Sequence, residues 1–91
     1  MAELGKIRER ICELAKRKKN VRLGDIEWVV NNLALNGYKT RKARNEHQVI
    51  FTVEGTKFGV CTHHTGRSQV KPVYVKEFLN AMIDLGLYDE D

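Results

Sequence analysis

A histidine set close behind a run of positive charge is the pairing in this sequence best able to do chemistry. His47 stands ten residues after Gly37 and follows the stretch Lys39-Thr40-Arg41-Lys42-Ala43-Arg44. An imidazole can move a proton near neutral pH. Lys and Arg side chains neutralise phosphates. The combination points to holding or cutting RNA. His47 is then the candidate general base, and Lys39, Arg41, Lys42 and Arg44 are the candidate RNA contacts. Lys57, Arg67 and Lys71 extend that cationic set, and His63 or His64 could assist as an acid or touch phosphate. Plainer roles stand beside these: a polar His47 bonded to Thr62 at a strand start, a solvated loop pair at His63-His64, and a charged strand face that simply stays wet. Cys61, His63, His64 and His47 are residue types that bind zinc. No standard ligand spacing joins them, so neither a metal site nor a cofactor is assigned.

The elements that must position these residues can be read from periodicity. Residues 3–19 form an expected amphipathic helix, with Leu4, Ile7, Ile11, Leu14 and Ala15 on one stripe. The basic run Lys16 to Lys19 closes it, where positive charge suits the helix dipole. A second helix is expected over residues 25–36, with Asp25 as N-cap, an apolar stripe of Ile26, Val29, Val30 and Leu33, and Gly37 at its end. Trp28 lies one position off that stripe; core and partner contact both stay open to its ring, and the offset favours a flanking position against the first helix. From Tyr38 the period changes to two. Strands are expected over residues 38–44, 47–53 and 56–62, joined by turns at Asn45-Glu46 and Glu54-Gly55. A two-residue hairpin pairs Val53 with Thr56, Phe51 with Phe58, Val49 with Val60 and His47 with Thr62. A polar loop, residues 63–71, leads to Pro72 and a last helix over residues 73–85. Val75, Phe78, Leu79, Met82 and Ile83 form its stripe, Gly86 its cap, and Leu87 folds back on its last turn.

Composition bounds the rest. Ninety-one residues suit one domain. A hydrophobic fraction of 42% excludes wholesale disorder. The net charge of +4 is unevenly spread: residues 39–44 hold four cations and no acid, while Asp84, Asp89, Glu90 and Asp91 crowd the C-terminal end. This favours an anionic partner on one face, nucleic acid or acidic protein. Two cysteines in separate elements argue against a disulfide framework and fit a reducing cytoplasm. No apolar run approaches the roughly 18 residues of a membrane span, and no signal peptide is visible.

The order of marks resembles a known family. Gly37-Tyr38, His47, Gly55, His63 and the ending Asp84-Leu85-Gly86-Leu87 are similar to the HicA (YcfA-like) mRNA interferase toxins of type II toxin–antitoxin systems. The resemblance covers roughly residues 25–87. It implies an α+β, double-stranded-RNA-binding-domain-like fold, α-β-β-β-α with a three-stranded antiparallel sheet. Here that domain is residues 21–91, and the helix within residues 1–20 is an addition, the whole being one compact unit. It also implies a metal-independent endoribonuclease acting on mRNA, His47 in the catalytic position, and a HicB-like antitoxin as protein partner. Asn45-Glu46 replaces the small pair that precedes the family's histidine, Cys61-Thr62-His63 replaces its Pro-x-His, and the loop after His63 is longer. Two other classes therefore stay open: a non-catalytic RNA-binding module, which Glu46 favours, and a protein-interaction module for an acidic antitoxin-like partner.

Overall fold

The computed structural model describes residues 3–17, 20–44, 48–61 and 69–89. The expected turn at Asn45-Glu46, all three histidines, Thr62 and Arg67 lie outside the described residues.

Helix α1 is Leu4–Lys16, and its apolar stripe buries Ile7, Ile11 and Leu14 completely. It stops short of the expected residue 19, at Lys16, where the Arg17 N–H closes onto the Glu13 and Leu14 carbonyls, both at 3.1 Å. Helix α2 is Leu23–Leu35 and begins two residues before Asp25. Asp25 does not cap as the first residue outside the helix. It sits in the first turn, and its carboxylate accepts the Arg22 N–H at 3.0 Å. An arginine side chain has no acceptor to offer in return, so the Asp25 N–H goes to the Arg22 carbonyl, also at 3.0 Å. The acid still meets the positive end of the helix dipole, where negative charge is stabilising.

Gly37 ends α2 as anticipated. With φ of +94° it takes the left-handed conformation that a side chain disfavours. Its N–H bonds to the Ala34 carbonyl at 3.1 Å and the Tyr38 N–H to the Leu33 carbonyl at 3.0 Å, a Schellman ending. Helix α3, Pro72–Asp84, ends the same way: the Gly86 N–H reaches Ile83 and the Leu87 N–H reaches Met82, at 3.0 and 2.8 Å, with Leu87 buried.

Between α2 and α3 lies an open antiparallel sheet in the order β1-β2-β3, with β1 at Thr40–Arg44, β2 at Val49–Val53 and β3 at Thr56–Val60. Glu54 and Gly55 form the β2–β3 turn with φ of 48° and 85°, the two positive values of a type I′ hairpin. Val53 pairs with Thr56, Phe51 with Phe58 and Val49 with Val60, the register the turn length requires. These residues, Thr56 apart, are buried on one face, where α2 packs by β1 and α3 by β3. Phe58 joins the two layers, its ring 5.4 Å from Phe51 and 5.6 Å from Phe78.

The loop before α3 is less independent than its polar composition implies. Val70 is fully buried, its N–H bonds the Val21 carbonyl at 2.8 Å, and Arg22 bridges Gln69 antiparallel. This short pairing ties the α1–α2 connection to the start of α3. Helix α1 packs on α2 and α3 and adds its three buried residues to the same core. Arg10 fastens it from outside, with its guanidinium 4.8 Å from the Trp28 ring centre and 4.0 Å from the Asp25 carboxylate. Trp28 thus flanks α1, as its offset from the stripe implied. Among the described residues no helix is long and apolar enough to cross a membrane.

Phe78 is fully buried between α3 and the sheet. Phe78→Ala is expected to remove about 3–5 kcal/mol of unfolding free energy, a large part of the roughly 5–15 kcal/mol typical of a domain. Urea unfolding measures it, and a loss below about 1 kcal/mol would contradict the packing described.

Candidate nucleic-acid interface

The cationic stretch that reads as one block in sequence is divided by the strand it forms. Successive side chains on a strand point to opposite faces, and cross-strand partners share a face. Thr40, Lys42 and Arg44 pair with Val53, Phe51 and Val49, so they lie on the helix-covered side. Arg41 and Ala43 pair with Thr52 and Ile50 and lie on the other side, which no described helix covers.

Lys42 is engaged on its own side. Its ammonium pairs with the Glu27 carboxylate of α2, and both groups are partly exposed. Exposed pairs of this kind contribute little to stability, about 0–1 kcal/mol. The contact nevertheless gives Lys42 a local counter-charge. Arg44, exposed, faces the same way from the far end of β1.

The uncovered face gathers the other cations. Arg41, Thr52 and Lys57 form one cross-strand row, because Thr52 pairs with both of its neighbours. Ala43, Ile50 and Gly59 form the adjacent row. Lys39 completes a shallow concavity with Arg41, Ala43, Ile50, Thr52 and Lys57. Strands lie about 4.8 Å apart, so Arg41 and Lys57 are rooted about 10 Å from one another across β2. An acid adjoins Lys39: Glu54 accepts the Lys39 N–H through its carboxylate, and its own N–H bonds the Lys39 carbonyl at 2.8 Å.

Of the seven cations singled out in sequence, Lys39, Arg41 and Lys57 therefore come together. Lys42 and Arg44 face away from them. Lys71 is half-buried at the N-cap of α3, where its N–H meets the Cys61 carbonyl at 3.3 Å. Arg67 lies outside the described residues, as do His47, His63 and His64. Among the described residues no cluster of three His, Cys, Asp or Glu gathers as a metal would require. Gln48, Ile50, Thr52 and Gly59 share the open face and were not singled out by residue type. Their signal was the period-two pattern of β2 and the hairpin register, which fix the outward positions once the inward ones are known.

At the end of β3, Cys61 meets Tyr74 of α3, and both are half-buried. The Tyr74 phenol is raised above its ordinary value, first by the hydrogen bond it gives Cys61, then by the negative charge Cys61 can carry, then by burial and by Glu77. A donated hydrogen bond and a nearby anion both hold the proton on the phenol.

The fold and this face define an α+β domain with a cationic sheet surface that no described helix covers. No family model, curated protein or solved structure matches the chain.

Because its folded pKa is raised, the Tyr74 contact adds stability below the ordinary phenol pKa, and the contribution is lost as pH rises through the folded value. Cys61→Ala is expected to lower the Tyr74 midpoint in an NMR-monitored alkaline titration. A midpoint that stays put would assign the shift to some other neighbour.

Proposed function

We propose that this protein is an RNA-cleaving toxin of the HicA type, with a double-stranded-RNA-binding-domain-like topology formed by α2, the three strands and α3, and α1 as an added helix. The observation that carries the reading is the row Arg41–Thr52–Lys57 with Lys39 beside it, cations displayed on a sheet face that no described helix covers. The element order α2-β1-β2-β3-α3 accords with the order that the resemblance implies. His47 follows β1 and directly precedes Gln48 in the chain.

The chemistry needs no metal. A neutral His47 imidazole takes the proton of a ribose 2′-OH, and that oxygen attacks the adjacent phosphorus. The bond from phosphorus to the 5′-oxygen breaks, and that oxygen leaves with a proton from an acid, for which His63 and His64 are the candidates. Cations stabilise the charge on the pentacoordinate phosphorus. The products are a 2′,3′-cyclic phosphate and a 5′-hydroxyl end. An mRNA substrate places this activity in the cytoplasm, and a HicB-like antitoxin would restrain it. Glu46, an acid beside the candidate base, favours one other reading: an RNA-binding module on the same fold that does not cut.

The protein is expected to cleave RNA in EDTA, and His47→Ala to lose about 10²–10⁴-fold in rate while binding and melting temperature stay nearly unchanged. Gel analysis of end-labelled RNA reads both the rate and the cyclic phosphate. Cleavage by His47→Ala at the wild-type rate would remove His47 from the mechanism. Binding without any cleavage by the wild type would establish the non-catalytic reading.

A further inference from the structure

The open face carries a polar side chain that the cleavage chemistry does not use. Gln48 is half-buried and stands just before β2. Its carboxamide lies across Gly59 of β3: a Cβ added at Gly59 would stand 2.1 Å from Gln48 Nε2 and 3.2 Å from Cδ. A side chain at position 59 and the carboxamide where it lies cannot occupy the same space. The backbone of Gly59 is not in the left-handed region, so its conformation does not demand glycine. What the missing side chain provides is room, and a glycine inside a strand often marks a close approach of this kind. Among the described residues no hydrogen bond engages the carboxamide.

The neighbours give this arrangement a use. Beneath and beside the carboxamide runs the row Ala43–Ile50–Gly59, small or apolar, and next to it the row Arg41–Thr52–Lys57. Phosphate contacts position the nucleic acid but do not distinguish bases. A carboxamide offers two donors and an acceptor, the set that pairs in bidentate fashion with the N6 and N7 edge of adenine. A shallow sheet face cannot enter the deep, narrow groove of an A-form duplex, whereas an unpaired base can lie flat on it.

We propose that Gln48 is a specificity-determining residue that, from its place across Gly59, reads the edge of an unpaired adenine lying on Ala43 and Ile50 while Arg41 and Lys57 hold the flanking phosphates. Gly59 is a positioning residue, acting through the room it leaves for Gln48. The inference rests on the RNA reading of this same face and names its substrate as single-stranded and adenine-containing.

The test compares binding of short single-stranded oligoadenylate and oligouridylate by fluorescence anisotropy, with His47→Ala present in every protein so that the probe survives. The parent is expected to prefer oligoadenylate by about 5–150-fold, the range of one bidentate base contact. Gln48→Ala and Gly59→Ala are each expected to reduce the preference to within about twofold, leaving the salt dependence and melting temperature intact. The double variant should lose nothing further, since both changes remove one interaction. If the parent binds both probes without preference, or Gln48→Ala keeps the preference, the assignment of Gln48 is overturned while RNA binding stands. If Gly59→Ala alone keeps it, the positioning role of Gly59 is overturned. If the parent binds neither probe, the RNA reading of the face fails and this inference with it.

Discussion

The two-residue turn at Glu54-Gly55 is the constraint on which the rest of the molecule depends. A type I′ turn leaves one way to align its strands, and here it sets Phe51 opposite Phe58 and Val49 opposite Val60. A slip of one residue would exchange every inward side chain for an outward one. Phe51, Phe58 and Val60 would then leave the core that Phe78 and α3 complete, and Thr52, Lys57 and Gly59 would enter it. The hairpin thus decides at once what is buried and what the open face displays.

The consequence for function lies in β1. That strand has no apolar alternation of its own, since its sequence is Thr-Arg-Lys-Ala-Arg. Its faces are assigned only by the partner it pairs with. Pairing with β2 sends Arg41 to the open side and Lys42 to Glu27 of α2. Charge density along the chain therefore overstates the local cationic field. The face that results is built from three elements, with Lys39 and Arg41 on one side of Thr52 and Lys57 on the other, and a shelf for a flat group alongside.

Much of the architecture was legible from residues. The positive-φ glycines at 37 and 86 stop their helices by the bonds such glycines permit, and the helical stripes supply most of the buried helix residues, although Leu4 at the start of α1 is exposed and Ala15 and Ile83 are only half-buried. Less legible was what depends on distant partners. Asp25 signals a helix start equally well as a cap or in the first turn, and only the neighbouring Leu23 and Gly24, which are helical, decide between them. Val70 reads as part of a polar loop because its partner, Val21, is 49 positions away. The sorting of Lys39, Arg41, Lys42 and Arg44 escapes a reading by charge, although the period-two rule contains it. The bearing of Gly59 on Gln48 needs two strands in contact and could not be read from either alone.

The central claim is that the register, and not the charge run, selects the cations that meet RNA. The dependence of binding on salt tests it directly, because the slope counts phosphates contacted, about 0.7 for each on a single strand. Arg41→Ala with Lys57→Ala is expected to lower that slope by about 1.4. Lys42→Ala with Arg44→Ala is expected to leave it nearly unchanged. If the second pair of substitutions lowers the slope as much as the first, or more, the open face is not the surface that RNA meets.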